Sequence, residues 1–468
     1  MTVLKHSIRE LRQSRGLALR ELADLTGLSP AAITRLERGF EEPSSAQTAS
    51  LKKALGLEPD EHGVELVGAK MAGEGYVTSV AAGGLIRRRR EPIDTTKLAV
   101  LDLFCGVGGF SSGFEQTGRF EVVAGVDLLG DRLDTFTANH AKANAFGTDI
   151  RQFSIAEFDE DNPRPFVIVG GPPCQGFSSL RPFRNIEWAD PRNNLAEEFI
   201  RVVATLLPEW IVFENVVGLL THEQGATLRA ITDSFQALGY KIDVRVLNAA
   251  HFGLPQKRER LIMVGNRRGK SFQWPDPTHR LDARSMAGKT HLLLRPQGKL
   301  ADTLPPAVTL GEAIGDLPVL KSGERATNYR AAPSTAYETF IRNSSEMLTL
   351  HEATLHSPAM LEIIRHAGDN IHALPKGMVT SGFSSCYSRL TSSEPSTTIT
   401  VNFVHPASNR CIHPDQDRAL TPREGARLQG FFDTFVFEGT RSQTIKQIGN
   451  AVPPLLGKAI AEAVIASD

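Results

Sequence analysis

The sequence predicts a doubly wound α/β fold with a mostly parallel sheet, preceded by a small all-α unit and interrupted by an inserted second domain. Three observations carry this. From Lys97 onward, short apolar runs alternate with helical segments, the pattern of parallel strands joined by crossover helices. Two later runs, Ile242 to Leu247 and Arg260 to Val264, have no long helix between them and read as an antiparallel edge. Before residue 59, and again from about 268 to 387, the alternation is absent.

A chain of 468 residues exceeds one small core, so two or three domains are expected. Hydrophobic residues at 41% and charged residues at 22% exclude a disordered or fibrous chain. No apolar run reaches ~18 residues, so no membrane-spanning helix is expected. The start, Met1 to His6, lacks a signal-peptide core. Cys105, Cys174, Cys386 and Cys411 lie far apart with no Cys-x-x-Cys pair. That spacing fits a reducing cytoplasm and argues against a thiol zinc site. A formal net charge of −1 gives no bulk attraction to nucleic acid, so such binding must rest on local patches.

Residues 1–58 read as three short helices. Ser7 with Glu10 forms a capping box for the first, and Gly16 stops it. The second runs through Leu19 to Leu25 and ends at Gly27. The third starts at Ser29 with Pro30 in its first turn and stops at Gly39. Ile33 and Leu36 face inward, leaving Thr34, Arg35 and Arg38 outward with ends that hydrogen-bond bases or phosphates. Helix, tight glycine turn, helix is the helix-turn-helix pattern. A plain three-helix interaction module fits the same residues. Residues 59–96 read as a linker with a little sheet near Tyr76–Val77, and contain Arg87–Arg88–Arg89–Arg90, which either follows a phosphate backbone or forms a solvated charge run.

Residues 97–267 carry the first strands, each ending in a chemically loaded loop. Leu98 to Phe104 runs into Gly106, Gly108 and Gly109, a turn that lets backbone approach a ligand closely. The spacing is not Gly-x-Gly-x-x-Gly, so no pyrophosphate is indicated. Val122 to Asp127 ends in a carboxylate placed to accept ribose hydroxyls. Asp149 is placed to accept from an adenine amino group. Together these describe a nucleoside site without phosphates, and S-adenosylmethionine is such a ligand. Phe166 to Val169 ends in Gly170–Gly171–Pro172–Pro173–Cys174–Gln175. Two prolines stiffen the loop just before the thiol, which suits a nucleophile better than a packed cysteine. Trp210 to Phe213 ends in Glu214, a carboxyl positioned to act as a general acid beside that thiol. Arg258 and Arg260 precede the last strand of this part.

These segments, in this order, resemble the DNA (cytosine-5) methyltransferases over roughly residues 97–466. Asp102 to Phe110 is similar to the family's first cofactor motif, and Pro172–Pro173–Cys174–Gln175 to its nucleophile motif. Glu214–Asn215–Val216 and Gln256 to Arg260 are similar to the next two motifs. Arg389–Leu390 with Thr397 to Thr400, Leu420 to Glu424, Arg427 to Phe431 and Gly449 to Pro454 complete the series. The departure is Asp127–Leu128, where many members carry glutamate and a bulkier residue.

The resemblance implies S-adenosylmethionine as cofactor and double-stranded DNA as substrate. It implies that Phe104 stacks on adenine, Asp127 holds ribose, and Asp149 and Ile150 bind the base. Pro172, Asn450 and Val452 then complete the cofactor site. It assigns Cys174 as nucleophile, Glu214 to cytosine N3, and Arg258 and Arg260 to the charge around the base. Residues 268–387 become the target-recognition domain and 388–468 the closing part of the catalytic domain. A restriction-modification enzyme is implied, with an N-terminal unit that resembles phage repressors at Glu21–Leu22–Ala23 and Arg35 to Gly39. That unit would bind a second, operator DNA as two copies. No metal site is expected at His405, Cys411 and His413. Two other readings remain: transfer to RNA, and a DNA-binding regulator on an inactive scaffold.

Overall fold

The computed structural model describes residues 84–173, 195–282, 285, 287–288, 290–296, 302–379 and 382–468. In the N-terminal region it describes 4–8, 11–12, 15, 17, 19–29, 32–33, 36, 43–57, 64–67 and 78–81. Thr34, Arg35, Arg38 and Cys174 lie outside the described residues.

The chain divides into a unit of residues 1–75 and a unit of residues 76–468. In the first, helices α1 (Leu19–Thr26) and α2 (Ser45–Ala54) bury Leu22, Leu51 and Leu55 with Ile8, Ile33 and Leu36. Ser44 and Gln47 cap α2 reciprocally. Gly27 adopts φ +70° just after α1, which is what a glycine stop provides. The amino-terminal end differs from the all-helical expectation. Leu4–Ser7 is a strand, β1, paired in parallel with β2 (Val64–Val67); helix begins directly after it at Ile8, and Glu10, the other half of the expected capping box, lies outside the described residues. The pairing partner lies some sixty residues away in sequence, beyond the reach of a local capping pattern.

The second unit is built on one nine-stranded sheet in the order β10-β11-β9-β8-β5-β6-β7-β4-β3. Its strands are β3 (Thr78–Ala81), β4 (Gly84–Arg87), β5 (Leu98–Leu103), β6 (Phe120–Asp127) and β7 (Asn144–Gly147). They continue with β8 (Val167–Gly170), β9 (Trp210–Val216), β10 (Lys241–Asn248) and β11 (Glu259–Asn266). β7, β6, β5, β8 and β9 are mutually parallel, while β10 and β11 form the antiparallel edge. The order reverses at β5, so the carboxyl ends of β5 and β8 open a crevice between them.

Each central strand feeds both faces. Leu101 and Leu103 of β5 join Phe199 of α6 (Leu195–Leu206) and Phe235 of α7 (Ala226–Ala237) on one side. Val100 packs on the other with Phe114 of α3 (Gly109–Glu115), Phe136 of α4 (Gly130–Asn139) and Ile460 of α13 (Pro454–Ser467). A short α5 (Ile155–Asp161) closes the first face. The longest apolar helical stretch, Arg441–Ser467, is α12 (Arg441–Asn450) and α13 interrupted at Ala451–Pro453. It serves as core, with Leu456, Ile460 and Val464 buried.

Residues 59–96 are more than a linker. β3 and β4 form a hairpin whose β4 pairs antiparallel with β7. The arginine run is only partly solvated, since burial falls from Arg87 to the exposed Arg90 and each of the four has a partner in the fold. Arg87 is 2% exposed and pairs with Asp134, Arg88 pairs with Asp161, and Arg89 and Arg90 donate to the carbonyls of Asp161 and Thr137. Acidic and carbonyl partners on α4 and α5, distant in sequence, draw these cations in.

The 268–387 segment holds α8 (Leu310–Ile314), α9 (Ala336–Arg342) and α10 (Pro358–Arg365), with little other regular structure among its described residues. Leu310, Ala313 and Ile341 bury with Leu420, Leu428 and Phe431 of the closing segment, so the two share a core. Short amphipathic helices bury their apolar stripe only against another element, and the closing segment provides it. Between them lies α11 (Pro422–Leu428), fully buried with its charges paired. Arg418 meets Glu424 at 2.7 Å, and Arg427 meets Asp316 at 2.5 Å and Asp433 at 2.6 Å. β12 (Ser388–Arg389) and β13 (Arg410–Ile412) add a small parallel pair.

Candidate active site

The loops after β5, β6, β7 and β8 leave the carboxyl ends of parallel strands and line the crevice there. At the end of β5, Phe104 sits at φ +59°, in the left-handed region that costs a non-glycine residue about 1–3 kcal/mol. Gly106 (φ +55°) and Gly108 (φ +84°) continue the turn. A side-chain carbon on Gly106 would meet nothing within 4 Å, so open space adjoins the backbone there. One on Gly109 would lie 2.3 Å from the Val452 carbonyl oxygen, so the glycine is what lets the closing segment touch this turn.

Asp127, at the end of β6, is buried and braces the same turn. Its Oδ2 accepts from the Gly106 N–H at 3.0 Å and its Oδ1 from the Leu129 N–H at 2.9 Å. Each oxygen retains a lone pair for another donor. Leu128 beside it is 62% exposed, an apolar side chain left uncovered at the crevice. Asp149 caps a one-turn helix through the Arg151 N–H and also pairs with the Arg151 guanidinium at 3.0 Å. Ile150 is buried next to it. These placements suit a nucleoside: carboxylates for hydroxyls and an amino group, an apolar wall, and close backbone.

Beneath the turn lies a polar core. Ser111 donates to Asp102 at 2.6 Å, tying α3 to β5. Burial lifts the Asp102 carboxyl to about 7, with the Ser111 hydroxyl working against it. His140 Nδ1 lies 2.8 Å from Glu115. Burial pulls His140 down, but Glu115 prevails and its ionisation is raised.

At the ends of β8 and β9 the thiol loop and the carboxylate come together. Glu214 is 8% exposed and its Oε1 meets Arg260 Nε at 2.8 Å. The next residue, Asn215, donates to the Pro172 carbonyl at 3.3 Å and so fixes the loop that leads to Cys174. Gly171 lies close against the carboxylate: a carbon added there would lie 2.7 Å from Glu214 Oε2 and displace it. The carboxylate at this apolar strand end is thus paired with a guanidinium.

The two arginines diverge. Arg260 faces Glu214, whereas the buried Arg258 donates to the carbonyls of Ile399 (2.9 Å) and Ala451 (3.0 Å). Burial, reinforced by Arg260, lowers the Arg258 ionisation well below the usual guanidinium value. Arg258 thus holds backbone instead of facing the crevice. Gln256, fully buried, does the same work. It donates to the Leu428 carbonyl and to Gln429, and accepts from the Ile399 N–H at 2.8 Å. Gln429 donates in turn to the Ala451 carbonyl at 2.6 Å. This lattice holds Ala451, between Asn450, exposed at the end of α12, and Val452, whose carbonyl reaches the glycine turn. Asn215, Gly171, Gln256 and Gln429 carry positioning roles that sequence reading did not assign. Buried glutamines and a glycine before a catalytic loop are the local signals that point to them.

The family described as C-5 cytosine-specific DNA methylase matches residues 98–466, and a helix-turn-helix domain matches residues 6–63. The type II methyltransferase M1.HphI of Haemophilus parahaemolyticus is 36% identical over 374 residues, covering 79% of this chain and 87% of that protein. The type II methyltransferase M.AgeI of Thalassovita gelatinovora is 30% identical over 434 residues, covering 78% and 99%. Among solved structures, a prophage-encoded E. coli protein described as a DNA modification methyltransferase superposes with a TM-score of 0.62 at 24% identity, over 79% of this chain and 99% of that one, a likeness of fold. With most of its length matched, its sheet of the same kind and its motifs in order around one crevice, the chain belongs to the C-5 cytosine-specific DNA methylase family and carries an N-terminal helix-turn-helix domain.

Proposed function

We propose that this enzyme transfers a methyl group from S-adenosylmethionine to C5 of a cytosine flipped out of a specific duplex sequence, as the modification partner of a type II restriction system. The observation that carries the reading is the Glu214–Arg260 pair beside the Gly171–Pro172 loop that delivers Cys174. The open turn at Gly106, the braced Asp127 and the uncovered Leu128 fit the cofactor's nucleoside. Phe104, Asp127, Asp149, Ile150, Pro172, Asn450 and Val452 hold it in this reading. When bound, S-adenosylmethionine supplies the electrophilic methyl group that C5 takes up.

The chain's own residues make C5 able to react. The Cys174 thiolate adds to C6, and the C5–C6 π electrons move to C5 and the ring. Glu214 protonates or hydrogen-bonds N3 as charge develops there, and Arg260 holds its carboxylate in place. After methylation a base, water or protein, takes the C5 proton. The C5–C6 double bond re-forms, and Cys174 leaves as thiolate. C6 is inaccessible in a stacked duplex, so the cytosine must leave the helix. Target readout falls to residues 268–387, and the helix-turn-helix unit, through Thr34, Arg35 and Arg38, binds a separate operator as two copies.

The decisive test is a target duplex carrying 5-fluorocytosine, preceded by bisulfite sequencing of host DNA to find the target. The wild-type enzyme with S-adenosylmethionine forms a denaturant-stable complex, because fluorine does not leave C5 as a proton does. Cys174→Ala forms none. A complex formed equally by Cys174→Ala overturns the nucleophile assignment. Methylation of RNA and not DNA would favour the alternative substrate.

A further inference from the structure

The hairpin β3–β4 precedes the family-matched residues, which begin at 98, yet it is built into the sheet edge nearest the proposed cofactor site. Its last residue, Arg87, is 2% exposed. One guanidinium nitrogen donates to the Gly130 carbonyl at 3.2 Å and to Asp134 at 2.8 Å, both on the first turns of α4. Gly130 follows Leu129, whose N–H fixes Asp127. The same strand touches the other wall of the crevice. Leu85 pairs with Gly147, and a carbon on Gly147 would lie 3.1 Å from the Leu85 carbonyl oxygen. Gly147 leads directly into Thr148 and Asp149. A single strand thus grips both the segment that presents Asp127 and the loop that presents Asp149.

We propose that the hairpin is a positioning element for the nucleoside end of the cofactor, with Arg87 as its positioning residue. This rests on the reading of Asp127 and Asp149 as cofactor contacts. Arg87 touches neither cofactor nor substrate; it acts by fixing the turn after β6 against the loop after β7. The energetic logic is preorganisation: a crevice already set for ribose and adenine loses less freedom on binding.

The test uses the full-length chain and measures equilibrium binding of S-adenosylmethionine and of adenosine, with steady-state methylation kinetics alongside. Arg87→Ala should weaken both ligands by the same factor, about five- to tenfold, within the span that residues coupling without contact cover. KM for S-adenosylmethionine should rise with it, while kcat and KM for DNA change less than about twofold. Asp134→Ala, which removes the acceptor but leaves the Gly130 carbonyl, should give a smaller effect in the same direction, and the double variant should be no worse than Arg87→Ala, because Asp134 acts through Arg87. Arg87→Lys, which keeps the charge but loses the fork, should fall between, and serves if Arg87→Ala does not fold. Asp127→Ala is the control for the underlying site. If Asp127→Ala abolishes binding while folded Arg87 and Asp134 variants bind both ligands normally, the hairpin is only scaffold and the proposal fails. If Asp127→Ala also binds normally, the cofactor assignment itself fails. A loss of kcat without a change in ligand affinity overturns the proposal as well.

Discussion

Gly171 leaves just enough room for the Glu214 carboxylate: a methyl group on its α-carbon would sit 2.7 Å from Oε2. The glycine follows β8, the glutamate lies near the end of the neighbouring parallel strand β9, and Arg260 holds the carboxylate at 2.8 Å. The carboxylate is therefore confined between a backbone and a cation. Such confinement fixes the carboxylate without a tight pocket around it.

Gly171→Ala should separate catalysis from folding. The added carbon presses on the end of a side chain, which yields at little cost in stability. The displaced carboxylate should lower kcat about 10²-fold, as expected of a displacement near 1 Å. Single-turnover rates and urea midpoints check this. A normal kcat would show that Glu214 need not sit where the structure puts it.

Glu214→Gln keeps the shape and an acceptor for Arg260 but removes the proton. Chemistry should slow about 10²-fold or more while DNA affinity stays within a few-fold. Comparison of kcat with the dissociation constant for the target duplex decides it. Equal loss in both would make Glu214 a binding residue.

Arg258→Met should act on structure first. It strips donors from the buried Ile399 and Ala451 carbonyls and costs about 3 kcal/mol. S-adenosylmethionine affinity should fall as well, since Asn450 and Val452 lose their anchor. An unchanged urea midpoint would contradict the clamp.

Stability should fall with rising pH through the polar core under the glycine turn. The Asp102 carboxyl is raised from 3.8 to about 7 in the fold, so the folded state binds its proton more tightly. Between those values folding takes up a proton, and stability drops as pH climbs. His140, also raised, adds stability at low pH that is lost as pH passes its folded value. Urea midpoints from pH 5 to 7.5 should decline, and Asp102→Asn should flatten the decline. An equal slope in both proteins would rule out Asp102 as its source.

Exchanging residues 268–387 for those of a relative should move methylation to the relative's sequence, because direct readout needs side chains in the major groove. Sequencing of converted DNA reads the outcome. The shared core of Leu310, Ile341 and Phe431 means that the exchange must keep α8 and α9 compatible with the closing segment.

The alternation of apolar runs and helices determined the parallel sheet, its antiparallel edge and the strand ends where Phe104, Asp127 and Glu214 sit. Those signals are local: periodicity sets the element, and glycine or proline sets where it stops. The partners were decided only by the tertiary structure. Arg258 and Arg260 stand two apart on one strand start, yet one faces a carboxylate and the other a cage of carbonyls. The arginine run at 87–90 looks solvated until α4 and α5 supply acceptors from far along the chain. β1 finds β2, and the helices of the 268–387 segment find Leu420 and Phe431, across long stretches of sequence. Burial selects these pairings, because a charge or a backbone group removed from water must find a partner wherever the fold brings one. Sequence pattern specifies which residues need burial or pairing; the packed molecule specifies with whom.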